Sequence, residues 1–549
     1  MFLIIQVLFS CNNQNNNSRT RLPNQNTKSL EADLDSLAFL TTYIKVYGLL
    51  KYYHPKYLSG KISIDSAFLH HYNRFTGKLS KELFNSIVDS LLVSNNELDT
   101  NKVVFDTSGH LFSWIVSTNT LSDTNKARLF ELSRNKNTRL RQHYVKNFDN
   151  NIGNAVFINE EINNDTTYFP DYPIRVLALA KYWNMLNYFY PFKDSIENFD
   201  NGFIKNYILK LQQCHSSEDY QLTILEMTTD IHDSHIYITY NQFLNKLLGE
   251  NYLPFKTDYY DSNFYISKVI SKSFGVKVGD RLININGNNI RDLTDSFNKY
   301  IAPKNSIFKN YIKSLLLSHV TTDSVSLKVI RNNDTVLVKT SSVSYYVYYR
   351  RIMSVKHKAV IKEKNRIYLN TLLVKDKDVD YAFNNFDTVI LDLRMNIRTG
   401  LRFTVANHLF EKPVKWCNVK MPDLNHPGFY HFSDDFLCGE INSNPFKGCV
   451  YVLIDENTIS QGEASCMMFS LFKNTTIIGR NSRGAVGNVT SISLPGKIKT
   501  RFTGVAVFDL KGTSYHSVGI TPDIYIKRNL NSILSNEDEV LDYLKINYK

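Results

Sequence analysis

YVLIDENTISQGEASCMMFSLFKNTTIIGRNSRGAVGN, residues 451–488, runs from an apolar segment through a polar turn into a helical pattern. With Cys449 and Val450 the apolar segment reads CVYVLID, which has the length and character of one buried strand. The turn is ENTIS, and a helix is predicted to begin at Gln461. Ala464, Met467, Met468, Leu471 and Phe472 recur at helical spacing and predict one apolar face. Ser460 thus stands at a strand-to-helix elbow, at the positive end of the helix. Free backbone N–H groups there can stabilise a developing oxyanion. Serine is equally a favoured helix cap, and Ser460 with Glu463 fits the S-x-x-E capping box. Within this stretch both roles are open.

The flanking sequence supplies the frame. From residue 365, RIYLNTLL, DVDYAFNNF, TVILDLR, RFTVANHLF and CVYVLID alternate strand with helix, followed by the Ser460 helix, TTIIGR and two late strand regions. This is the pattern of an α/β domain with a mainly parallel sheet. Upstream, YISKVISKSFGVKVGDRLININGNNIRDL alternates apolar residues around Gly275, Gly279 and Asp280 and reaches the hairpin turn Asn286-Gly287. Its segment GVKVGDRLININGNNI resembles the strand-turn-strand of a PDZ domain, a module that binds peptide C-termini by strand addition. The similarity covers residues 254–343.

The first half reads as helical. KVYGLLKYYHPKYLSGKISIDSAFLHHY (45–72) and KYWNMLNYFYPFKDSIENFDNGFIKNY (181–207) resemble one another. Each is an aromatic helix ending in Tyr-x-Pro, a loop with an Asp, and a second helix, the proline stopping the first. A helical region is expected over residues 33–248, with a strand-like interlude near 102–117. At the N-terminus, Leu8-Phe9-Ser10-Cys11 follows a short apolar run and resembles a bacterial lipobox, with Cys11 as the lipidated residue. The run is too short to span a bilayer, and the Asn-rich stretch after it reads as a flexible tether.

The chain has 549 residues, too many for one core, and implies about two to four domains. Its net charge of +12 is spread along the sequence, and no run of about five or six like charges marks a nucleic-acid patch. The six cysteines, among them Cys214, Cys417, Cys438, Cys449 and Cys466, fall in no CxxC or metal-ligand spacing. No zinc site, cofactor or disulfide framework is indicated, although Cys417, Cys438 and Cys449 leave pairing open.

T-x-S-x-x-E at Ser460, then IIGR, a glycine-rich loop and VGITPDI (518–524), resembles the tail-specific, or C-terminal processing, serine peptidases. VILDLRMN (389–396), the PDZ-like unit and IHDSHIYI (231–238) extend the resemblance over residues 175–526, in the family's domain order. The resemblance implies a crotonase-like catalytic domain, peptide-bond hydrolysis through an acyl-enzyme, and Ser460 as nucleophile. In the bacterial branch a lysine takes the serine's proton, but Ala485 holds that position here, and neither Lys473 nor Lys497 is placed to replace it. The tricorn-type branch uses a histidine upstream of the PDZ-like unit, which HDSHIYI supplies as His235, with Ser234 beside it. Imidazole suits base and then acid duty near neutral pH. His516 stands where that branch has an orienting Glu. The resemblance implies an oxyanion hole from the Gln461 N–H and from the loop DLRMNIRTG, whose Arg398 and Thr399 replace glycines, leaving Thr399 or Gly400 as donor.

The sequence therefore predicts a multidomain α/β protein. A leader and tether (1–32) precede a helical N-terminal region (33–170) and a helical segment with the catalytic histidine (171–250). A PDZ-like domain (251–345) and a crotonase-like peptidase domain (346–549) complete it. The expected substrates are peptides or unfolded protein tails, and the expected location is the cell envelope, with a lipid on Cys11. A relative that binds peptides without cleaving them is the competing expectation.

Overall fold

The computed structural model describes residues 34–75, 79–92, 110–134, 142–147, 153–160, 167–236, 242–354, 357–535 and 537–547. Cys11, the tether, and the residues following Ile236 in HDSHIYI lie outside them.

The two similar segments form two copies of one helical unit. Helices α1 (Leu34–Tyr53), α2 (Ile64–Tyr72) and α3 (Lys81–Leu91) are matched by α4 (Tyr172–Phe189), α5 (Asn201–Gln212) and α6 (Ser217–Thr229). The helices α1 and α4 end just before Pro55 and Pro191. Ser80 and Ser216 cap the third helix of each copy, their hydroxyls accepting from Leu83 N and Asp219 N.

The copies pack against one another. Helices α1 and α4 cross where Gly48 meets Asn184, its counterpart in the other copy; a Cβ on Gly48 would lie 1.8 Å from Asn184 Oδ1. Lys181 on α4 reaches the Asp65 carboxylate of the first copy at 2.7 Å. Conversely, the charge of Asp200 in the second copy acts on Lys45 of the first, whose ammonium burial pushes down to about 8. Lys51 and Glu160 complete a buried quartet with Lys181 and Asp65, at 2.8 Å for both Lys51–Glu160 and Lys181–Glu160. Two cations facing two anions leave no net buried charge, which makes such a cluster tolerable in a core.

The strand-like interlude expected near 102–117 is not found in the part described. Residues His110–Phe112 form a 3₁₀ turn and Ser113–Ser117 a short helix that buries Ile115. The β-branched, apolar run SWIVS suits a strand by local preference, and packing on the helices overrides it. Strand pairing in this region is confined, among the described residues, to Val145–Asn147 with Ala155–Phe157.

Six strands then form an antiparallel sheet with its own core: β1 (Phe255–Tyr260), β2 (Asn263–Val269), β3 (Arg281–Ile285), β4 (Asn288–Asn289), β5 (Ser324–Arg331) and β6 (Asp334–Ser341). The order is β6-β5-β3-β2-β1, with β4 paired to β3. Asn286 and Gly287 both adopt positive φ (50° and 87°), the tight hairpin turn expected from this dipeptide. Helix α7 (Ser306–Leu316) lies against β1.

The last region is a second six-stranded sheet, in order β7 (Val360–Lys362), β8 (Arg366–Asn370), β9 (Thr388–Asp392), β10 (Cys449–Ile454), β11 (Thr475–Gly479), β12 (Ile524–Tyr525). All neighbours from β8 to β12 are parallel, and β7 joins antiparallel. Alternate side chains enter two cores. Val389, Leu391 and Val452 face the helices, whereas Ile390, Leu453 and Ile478 pack under Val540 and Leu544 of the C-terminal helix. Cover on both faces explains the unbroken apolar runs. The helix after Ser460, α8 (Gln461–Phe469), departs from the expected single apolar face. It is buried on nearly every side, between the helix Leu401–Leu409 and the strand Val414–Pro422, while Leu471 lies exposed beyond its end.

Candidate active site

Ser460 follows β10 across a loop tied back on itself. Thr458 N donates to Asp455 O at 2.9 Å, and the Thr458 hydroxyl reaches Leu393 O at 3.2 Å. At Ser460 the backbone takes φ 53° and ψ −108°, a conformation few non-glycine residues adopt. Such strain, on the order of 1–3 kcal/mol, persists only where the surroundings impose it. Here Glu463 imposes it. Its buried carboxylate accepts the Ser460 N–H at 3.0 Å, Ser482 Oγ at 2.6 Å, Gly484 N at 2.7 Å and Ala485 N at 2.9 Å. Burial pushes the Glu463 carboxyl up, and these four donors oppose that shift. The Glu463 arm of the expected capping box therefore also pins the loop 482–485 beside the elbow.

Ala485, where the bacterial branch has its lysine, is buried in that anchored loop. Lys473 and Lys497 are both exposed, and Lys497 lies over the Tyr168 ring. Neither ammonium is part of this arrangement.

His235 is buried, with Nδ1 2.7 Å from Thr503 Oγ1, while its Nε2 has no protein partner. The neighbouring Ser234 hydroxyl is likewise buried and unpartnered. Asp233 organises the pair. Its Oδ1 accepts His235 N at 2.8 Å and Thr503 Oγ1 at 2.9 Å, and its Oδ2 accepts Thr503 N at 2.6 Å. Burial pushes the His235 imidazole down to about 4, against the raising effect of Asp233 and with Arg501, His516 and Arg483 adding to the depression. Asp233 is held below the usual carboxylate range, because His516, His235 and its amide donors outweigh burial. His232 is separate: its Nδ1 meets Ala302 O at 3.2 Å, and its φ is positive.

His516 stacks on Phe192 at 3.8 Å and places Nε2 3.0 Å from Tyr190 Oη, leaving Nδ1 without a protein partner. A charge on its ring would act directly on both His235 and Asp233, and Tyr190 in turn feels the Asp233 charge. The neighbouring Ser517 joins the two halves of the site. Its N–H donates to Gly484 O at 2.8 Å, and its hydroxyl to His232 O at 3.4 Å. The loop pinned by Glu463 at the serine elbow is thereby bound to the segment that carries Asp233, Ser234 and His235.

Gln461 begins α8, so its N–H is among the donors that a helix start leaves open, and its side-chain Oε1 is buried without a partner. In DLRMNIRTG, Arg398 is turned outward, its N–H on Thr371 O and its guanidinium on Asp376 at 2.6 Å. Thr399 and Gly400 are exposed, and Gly400, at φ 87°, starts the helix Leu401–Leu409. Asn396 of this loop lies against α8, its Oδ1 3.1 Å from where a Cβ on Gly462 would be.

The sequence of residues 375–526 matches the model of peptidase family S41. This segment is similar to the peptidase family S41 domain. The family is one of serine peptidases, tail-specific proteases among them, and the S41 segment contains Ser460, Gln461, the DLR loop and His516. No curated protein matches the chain. Among solved structures, mature CPAF is similar over 68% of this chain and 96% of its own, at 13% identity and a TM-score of 0.55. Mature CPAF complexed with lactacystin covers 68% and 97%, at 13% identity and 0.54. The photosystem II D1 C-terminal processing protease covers 67% and 98%, at 14% identity and a TM-score of 0.36. At such identities the CPAF match speaks for the fold.

Two residues of the site were not singled out from sequence. Asp233 was visible in principle, two positions before His235 in HDSHIYI. Thr503, 268 residues from His235, gives no local signal. Among the described residues, no group of three His, Cys, Asp or Glu is placed to hold a metal, and no helix is long and apolar enough to cross a membrane.

Proposed function

We propose that the protein hydrolyses peptide bonds in peptides or unfolded protein tails, through an acyl-enzyme on Ser460 with His235 as base. Ser460 Oγ attacks the scissile carbonyl as its proton passes to His235 Nε2. The imidazolium then protonates the departing amine, and water, activated by the same nitrogen, releases the acyl group. The Gln461 N–H and an amide of the DLR loop, at Thr399 or Gly400, would hold the oxyanion. Ser234 supports the imidazole, and His516 stands where the tricorn-type branch has its Glu.

The observation that carries this reading is the state of His235. Its Nδ1 is locked, its Nε2 is buried and unused, and its segment is bound to the loop that anchors the strained Ser460 elbow. A merely structural histidine has no need of an idle, buried Nε2. The antiparallel unit of β1–β6 is read as PDZ-like, capturing a peptide end by strand addition, and the parallel sheet as crotonase-like. Attachment to the cell envelope through Cys11 belongs to the same proposal.

A fluorophosphonate probe tests it. Wild type is expected to be labelled, and Ser460→Ala and His235→Ala are not. Absence of labelling in wild type, with peptide still bound, would favour the competing reading of a peptide-binding relative.

A further inference from the structure

The S41 segment carries histidine, not a carboxylate, at position 516, so the charge that should steady an imidazolium must come from elsewhere. Resting on the reading of His235 as base, we propose that Asp233 supplies it, acting through the hydroxyl of Thr503. Both are positioning residues; neither touches the substrate.

Hydrogen-bond direction makes the case. Asp233 Oδ1 and His235 Nδ1 are 3.7 Å apart, too far for a direct bond. Thr503 Oγ1 stands between them, 2.9 Å from the carboxylate and 2.7 Å from the ring nitrogen. A buried, ionised carboxylate only accepts, so the Thr503 hydroxyl donates its one hydrogen to Asp233. Its lone pair then faces Nδ1, and Nδ1 must carry the proton. That tautomer leaves Nε2 unprotonated, as a base requires.

The carboxylate is itself held by two backbone amides, His235 N at 2.8 Å and Thr503 N at 2.6 Å. It therefore cannot swing away or take the proton. Among the groups acting most strongly on His235, Arg501, His516 and Arg483 disfavour the cation, and Asp233 favours it. Tyr190 and Tyr182 also adjoin this carboxylate, both neutral because burial and its charge push their phenols up.

The chemical step balances with no further reactant. The Ser460 O–H bond breaks as the Oγ–carbon bond forms, and the proton goes to Nε2. The Nδ1–H, the Thr503 hydroxyl and the Asp233 carboxylate keep their protonation and strengthen their contacts around the cation. When the carbon–nitrogen bond of the peptide breaks, the Nε2 proton leaves with the amine.

The test uses the full chain and Thr503→Val, which keeps shape and the N–H to Asp233 but removes the relay. Thr503→Ser restores the hydroxyl, and Asp233→Asn removes the charge. Thr503→Val should label with the fluorophosphonate about 10²-fold or more slowly than wild type, with Thr503→Ser within about tenfold of it. In Asp233→Asn the acid limb of the labelling profile should move to lower pH, because the carboxylate that raises the His235 basicity is gone. Wild-type rates in Thr503→Val, with His235→Ala unlabelled, would overturn this inference and leave the base intact. Wild-type rates in His235→Ala would instead sink the base reading.

A second readout needs no activity. Nitrogen-15 histidine spectra, with the His235 signal identified by its loss in His235→Gln, should show the Nδ1–H tautomer in wild type and its loss in Thr503→Val. An Nε2–H tautomer in wild type would overturn the inference outright.

Discussion

The Glu463 carboxylate accepts the Ala485 amide at 2.9 Å, so the position where a lysine base is expected in this family's bacterial branch serves here as a buried backbone anchor. The same carboxylate takes the Ser460 N–H at 3.0 Å. One side chain thus joins the Ser460 elbow to the loop that turns toward His235. Glu463→Gln would replace one acceptor oxygen with an amide NH₂ and leave two of four donors facing another donor. With roughly 1–3 kcal/mol for each buried group so stranded, the variant should lose about 2–6 kcal/mol of stability. Urea denaturation should show that loss, and fluorophosphonate labelling should fall with it.

The depressed basicity of His235 predicts an unusual pH profile. A base near 4 stays neutral across the range where an ordinary histidine, at about 6.5, would already be charged. Labelling rates should be level from about pH 8 to 5 and fall as the pH passes through about 4. An acid limb near 6.5 would contradict the buried environment described for the ring.

The same shift has a stability consequence. The unfolded chain protonates this histidine at about pH 6.5 and the folded chain only near 4, so stability is full above the unfolded value and is lost as pH falls toward the folded one. The contribution is about 3 kcal/mol between those limits. Denaturation midpoints at pH 7 and pH 4.5 should differ more for wild type than for His235→Gln.

In the helical region, Lys181 sits between Asp65 and Glu160 with no access to water. Lys181→Met leaves two carboxylates to one lysine and should cost about 3–5 kcal/mol. Lys181→Met with Asp65→Leu, which removes one charge of each sign, should cost less than the single change. A thermal melt of the three variants decides it.

The crossing of α1 and α4 depends on Gly48. An added methyl meets Asn184 Oδ1 and Cγ, at 1.8 and 2.2 Å, so Gly48→Ala should destabilise by about 1–3 kcal/mol. Gly48→Ala and Asn184→Ala should be non-additive in a double-mutant cycle, because each changes the space of the other.

Much of this architecture is legible in the sequence where local rules and packing agree. Pro55 and Pro191 end their helices, Asn286-Gly287 makes its hairpin, and the apolar runs at β9 and β10 are strands covered on both faces. The resemblance between residues 45–72 and 181–207 reads as two helix–turn–helix hairpins, and each forms its pair of helices. Packing hid the rest. Helix α8 offers no single apolar face because neighbours surround it, and SWIVS is drawn into a helix by the core that takes Ile115. At the site, Ser460, His235 and Ala485 stand out by pattern. The Asp233–Thr503 bond joins residues 270 apart, and no periodicity or spacing announces it.

The central claim, a Ser460 nucleophile activated by His235, is tested most directly by fluorophosphonate labelling of purified wild type, Ser460→Ala and His235→Ala. The account predicts a labelled wild type, with the adduct mapped by mass spectrometry to the peptide containing Ser460, and two unlabelled variants of unchanged fold. Labelling that persists in Ser460→Ala, or a folded wild type that never reacts, would contradict it.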